Sequence, residues 1–126
     1  MTAKTDHLGT GAFLKSEGPG KISRDPIVIA SGTGIVLAGT VLGKVTASGE
    51  YALYNDDGGA SDDGTRTAAA VLYADVDATS AAVSAVGITR LAEVWKDRLV
   101  WGAGVTTNTE KTNGLADLAA KFVIAR

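Results

Sequence analysis

Apolar residues in this chain come in short runs separated by glycine and charge, a pattern of strands and turns rather than of long helices. The clearest stretch is 23–46. Arg24-Asp25-Pro26 leads into the apolar run Ile27-Val28-Ile29-Ala30, and Pro26, with its fixed φ and no N–H, suits the first residue of a strand. Gly32, Gly34, Gly39 and Gly43 then mark structural turns, because glycine accepts positive φ without a Cβ penalty. Ala38-Gly39-Thr40-Val41-Leu42-Gly43 runs on into Lys44 and Val45, so the segment reads as two short β elements joined by tight turns. Further strands are expected at 50–54, at 68–73 and at 88–95, the last on β-branched and aromatic content despite imperfect alternation. Residues 79–86 fit turn, strand or short helix. Lys96-Asp97-Arg98 makes a charged turn before Leu99-Val100-Trp101.

One helix is expected, at 113–121. There Leu115, Leu118 and Ala119 share a face, Thr112 or Asn113 supplies the N-cap, and Lys121 sits where the helix dipole favours a cation. Phe122-Val123-Ile124 returns as a terminal strand, and the helix is expected to lie over the sheet. At the other end, 1–21 is polar and aperiodic, with Leu8, Phe13 and Leu14 as its apolar anchors and Ile22 following. So little apolar surface does not offset the entropy of ordering, and the segment is expected to be a flexible arm preceding a folded domain at 22–126. Gly11-Ala12-Phe13-Leu14-Lys15 places an exposed aromatic and a leucine in that arm. A frayed terminus and an arm that adds a strand to a neighbour's sheet edge both fit. The expected class is α+β and β-rich: a small mixed β body, barrel- or clip-like, with one C-terminal helix packed on it and the flexible arm.

Composition narrows the function. The 126 residues make one domain, and a net charge of −2 lacks the basic excess of a nucleic-acid binder. There is no cysteine, hence no disulfide framework or thiolate metal cage. No signal peptide is expected, and no run reaches the roughly 20 apolar residues of a membrane span. His7 is the sole histidine and lies in the arm, which speaks against a nucleophile–histidine mechanism. Asp56-Asp57 and Asp62-Asp63 lie in a glycine-rich acidic loop at 55–64. Calcium is the chemistry such oxygens would take, but the spacing does not match an EF-hand. A solvated hairpin loop is favoured, with no metal and no cofactor. Half of the acids fall in 50–77, an outer face that serves solubility. Trp95 and Trp101, either side of the charged turn, fit the core or an interface. No enzyme is expected.

Several motifs, in order along nearly the whole chain, resemble the lambda-type tailed-phage head decoration proteins. They are Ser23-Arg24-Asp25, the Gly32 to Gly34 turn, Ala38-Gly39-Thr40-Val41-Leu42-Gly43-Lys44-Val45, Asp63-Gly64-Thr65 before the 68–73 strand, Arg90-Leu91-Ala92-Glu93-Val94, and the closing Gly114-Leu115 and Phe122-Val123-Ile124-Ala125-Arg126. The resemblance implies a homotrimer that cements the outer surface of the mature, expanded phage head at three-fold and quasi-three-fold sites against DNA pressure. It implies binding to the major capsid protein, with the arm (Leu8, Phe13, Leu14, Lys15, Ile22) adding a strand to that protein. It further implies synthesis in the host cytoplasm, a place in the virion, and no direct contact with nucleic acid or membrane. Leu91, Trp95 and Trp101 are candidates for the trimer interface. The alternative is a soluble β-clip-like ligand-binding module using Tyr51, Tyr54 and the tryptophans.

Overall fold

A computed structural model of the chain describes residues 9–56 and 62–126. Its centre is a closed five-stranded barrel built from β2 (Arg24–Ile29), β4 (Val41–Lys44), β5 (Tyr51–Leu53), β6 (Ala68–Leu72) and β8 (Val83–Ile88). Around the barrel the strand order is β2-β5-β4-β6-β8. The β2–β8 seam runs antiparallel in register from Arg24 opposite Ile88 to Ile29 opposite Val83. Closure between β2 and β5 rests on one parallel pair, Ile29 with Tyr51.

Two smaller sheets flank the barrel. β1 (Leu14–Glu17), β9 (Ala92–Val94) and β10 (Val123–Ala125) form one, with β9 in the middle. β3 (Gly34–Val36) and β7 (Val76–Ala78) form a two-stranded antiparallel ribbon. Helix α1 (Asn108–Ala120) packs on β6 and β10.

Neighbouring residues of β4 and β6 serve different cores. Leu42, Ala70 and Leu72 pack inside the barrel with Ile27 and Ile29, whereas Val41, Ala68 and Val71 face a second core shared with Phe13, Val94, Leu118 and Val123. Strands buried on both faces carry continuous apolar runs, which is why 41–42 and 68–72 do not alternate. β2 is buried on one face only and does alternate, with Ile27 and Ile29 inward and Pro26 and Val28 outward. Pro26 is the third residue of its strand rather than the first. The ladder tolerates it there because β2 meets its other neighbour only at Ile29.

Other expectations need correction. The strand expected at 88–95 is two: β8 ends at Ile88 and β9 begins at Ala92. Thr89 and Arg90 both donate to the Asp25 carboxylate, and the Leu91 carbonyl accepts the Gly18 N–H and the Ser23 hydroxyl. These bonds fix a corner. Leu99-Val100-Trp101, to which the sequence assigns no element, contributes a single bridge between Val100 and Thr40. The undecided 79–86 stretch resolves as β8 from Val83 onward.

The helix begins at Asn108, five residues before the expected start. Its cap is Thr107, whose hydroxyl accepts the Glu110 N–H at 3.2 Å and donates to Glu110 Oε1 at 2.9 Å. Thr107 and Glu110 thus make a reciprocal capping arrangement that outcompetes Thr112 and Asn113. Leu118 is buried and Leu115 half-buried as expected, but Ala119 faces outward. The acidic loop is not a hairpin connection either, since β5 and β6 each pair with β4 and not with each other.

Of the four turn glycines, Gly32, Gly34 and Gly39 have φ near +90°. Gly43 does not turn the chain. It lies in β4, where an added Cβ would sit 2.6 Å from the Thr65 backbone, so glycine is needed there for close approach.

Candidate functional surface

The amino-terminal segment is more integrated than its composition suggests. Phe13 is 1 % exposed, and its carbonyl accepts the Trp95 N–H at 2.7 Å. Leu14 opens β1 opposite Val94, and Glu17 ends it opposite Ala92. Glu17 also accepts two bonds from the Arg24 guanidinium, at 2.7 and 3.0 Å, which ties β1 to the barrel. The picture of Phe13 as an exposed anchor is therefore corrected. A single phenylalanine with the second core beside it is worth about 1.5–3 kcal/mol when buried. Lys15 lies over the Trp95 ring at 5.1 Å from its centroid, Ile22 is exposed, and Leu8 lies outside the described residues.

The three interface candidates separate. Trp95 and Trp101 line one groove of about 660 Å³, with Leu99 and Leu115 as its other apolar walls. Both indoles are half-buried. Trp101 meets the Tyr54 ring edge-on at 6.1 Å, and Trp95 carries the Arg98 guanidinium at 5.4 Å as well as Lys15. Leu91 lies at the other end of β9. It is 43 % exposed at φ +51°, beside Phe122, which is 65 % exposed at φ +63°. Phe122 had been expected inside a strand. It instead follows the helix in the left-handed conformation that usually selects glycine.

Tyr54 contributes nothing to an open aromatic pocket. It is buried, its hydroxyl donates to the Glu110 carbonyl at 2.8 Å, and burial pushes its phenol well above the ordinary range. The acidic loop holds its described carboxylates in local turns. Asp62 accepts the Gly64 N–H, while Asp63 accepts the Thr65 hydroxyl and N–H, which draw its carboxyl below the usual value. Asp56 accepts an amide proton from Asn113. Asp57 lies outside the described residues, and among those described no three metal-ligating groups converge.

The surface thus offers apolar and aromatic contacts on a rigid β frame. The model of the bacteriophage lambda head decoration protein D family matches residues 3–123. The chain belongs to that family. Head decoration proteins are structural components of the phage capsid rather than enzymes, so decoration of a phage head is the role that membership assigns. No curated protein sequence matches the chain significantly. Among the described residues, no helix is long and apolar enough to cross a membrane.

Sequence patterning did not point to Phe122, because an exposed aromatic after a helix reads as the start of the next strand. Lys111 precedes the helix expected from 113, and Leu115, expected on that helix's apolar face, carries no local signal that it lies beside Trp101.

Proposed function

We propose that this head decoration protein is a cement. It binds the outer surface of the expanded phage head as a homotrimer at three-fold and quasi-three-fold sites and stabilises the shell against the pressure of packaged DNA. It is made in the host cytoplasm and ends in the virion. The chain ahead of β1 adds a strand to the major capsid protein, and Ile22 contributes apolar contact. Leu91, Trp95 and Trp101 serve contacts between copies. The observation that carries this reading is the position of β1: among the described residues it is the edge strand of its sheet, paired with β9 alone, so the chain leading into it emerges at a sheet edge where it can pair with a partner's strand. Three copies of a weak contact also gain by effective concentration, so modest affinity per chain suffices.

The test uses a truncation that spares the core. Removing residues 2–8 should leave a folded chain that no longer decorates expanded heads, as read by co-sedimentation. Undiminished decoration by the truncated chain would overturn the arm's role. Light scattering on the full chain measures the oligomer directly.

A further inference from the structure

Two surfaces of the chain are unlike one another and complementary. The first is the groove between Trp95 and Trp101. Its rim carries Lys96, Lys111 and Arg126 against one acid, Asp97. Arg126 is paired with Glu93 at 2.7 Å, whereas Lys96 and Lys111 enter no ion pair among the described residues. With Arg98 and Lys15 on the Trp95 ring, the groove is apolar within and cationic around.

The second surface is the β3–β7 ribbon. Its inner side buries Val36 and Ala78, and its outer side presents Ile35 directly across from Asp77. Ile35 is 72 % exposed, the most exposed large apolar residue among those described. A ribbon of two three-residue strands has little stability of its own, and a bare β-branched residue at its centre wants cover. Asp77 Oδ1 accepts the Thr79 N–H and hydroxyl, which leaves Oδ2 for an outside cation.

We propose that the Trp95–Trp101 groove receives the β3–β7 ribbon of a second copy, with Ile35 entering the groove and Asp77 meeting Lys96 and Lys111. This rests on the trimer reading above. A cyclic ring needs such a heterologous contact, two different patches repeated head to tail, and a closed ring of three uses each patch once per copy. The two patches are linked through the backbone of one chain: the segment leaving β3 passes through Gly39, whose carbonyl accepts the Val100 N–H between the groove residues Leu99 and Trp101. The groove volume lies in the range of about 300–1,000 Å³ that accommodates a ligand larger than one side chain.

Multi-angle light scattering across a dilution series of the full-length chain tests the proposal. The variants are Ile35→Ser, Asp77→Lys, Lys111→Glu and the double exchange Asp77→Lys/Lys111→Glu, each checked for fold by circular dichroism. Each single variant should weaken the trimer by about tenfold or more, and the double exchange should regain most of the loss because the charges again oppose. A wild-type chain that stays monomeric overturns the trimer reading and the contact with it. A wild-type trimer that the single variants leave unchanged overturns this contact alone. Variants that stay trimeric but fail to decorate heads assign the groove to the shell and also overturn it.

Discussion

Leu91 and Phe122 are neighbours in space and share a backbone anomaly. Among the described residues they are the two non-glycines with positive φ, and the Phe122 carbonyl accepts the N–H of Ala92, the residue after Leu91, at 3.0 Å. Each enters its strand through the left-handed region, and each leaves a large apolar side chain in solvent. Left-handed backbone costs an ordinary residue about 1–2 kcal/mol. Such strain persists where surroundings over-determine it and commonly at contact sites.

Phe122→Gly separates strain from contact. Two of the helix's last carbonyls are already met, with the Lys121 and Phe122 N–H groups donating to Leu118 and Ala119. Glycine would keep those bonds and remove the Cβ penalty, while little burial is lost. The expected result is a melting temperature higher by about 2–4 °C. If the side chain also contacts the head, decoration weakens in the same variant. A lower melting temperature would mean that Phe122 packs more than its exposure indicates.

Phe13→Ala addresses the amino-terminal segment from the other side. A mobile arm would lose nothing in stability from this change. A phenylalanine buried in one core with Val41, Val94 and Leu99 should instead cost about 3–5 kcal/mol, a large share of a small domain's total. Urea unfolding of the isolated chain measures it, and a loss under about 1 kcal/mol would return Phe13 to the arm.

Much of the fold was legible because it depends on local signals. Apolar runs at 27–29, 41–42 and 68–72 located three barrel strands, and the glycines at 32, 34 and 39 located real turns. What stayed hidden depended on distant partners. Phe13 looked like part of a polar tail because the residues that bury it, from Val41 to Leu99, lie far along the chain. The corner at Leu91 was invisible for the same reason: nothing between 88 and 95 announces that Arg90 and Thr89 reach back to Asp25. The Thr107 to Glu110 spacing marks the helix start, but the apolar face from Leu115 onward is the stronger signal and points further downstream. For the candidate surfaces, residue type alone named Trp95 and Trp101 but could not show that they share a groove with Lys111 and Leu115.

Gly114→Ala sets helix propensity against packing. In a helix interior alanine is favoured over glycine by about 1 kcal/mol. At this position the new Cβ would lie 2.9 Å from the Tyr54 ring and 3.0 Å from Trp101. Tyr54 is fully buried and anchored through its hydroxyl to the Glu110 carbonyl, so it has no room to withdraw. Overpacking of about 1–3 kcal/mol should outweigh the propensity gain. The variant is expected to melt lower than wild type and to show altered tryptophan fluorescence as Trp101 shifts. An equal or higher melting temperature would show that the helix can lift from the barrel at little cost.

Acid should loosen the corner between β8 and β9 through Asp25. Its carboxylate accepts two bonds from Arg90, at 3.2 and 2.5 Å, and one from Thr89 at 2.8 Å. The Arg90 guanidinium first and the Thr89 hydroxyl second hold its pKa below the ordinary 3.8. Because the folded pKa is depressed, the stabilisation is complete above the unfolded value and disappears as pH falls through the folded one. Glu93, lowered by Arg126 and then Ser16, acts in the same direction. Wild-type melting temperature should therefore hold from neutral pH down to about 5 and then fall toward about pH 3. Asp25→Asn keeps the shape but loses the charge. It should melt lower than wild type at neutral pH and lose less on acidification, so that the gap between the two narrows as Asp25 protonates. Parallel curves over the whole range would mean that the Asp25–Arg90 pair does not stabilise the corner.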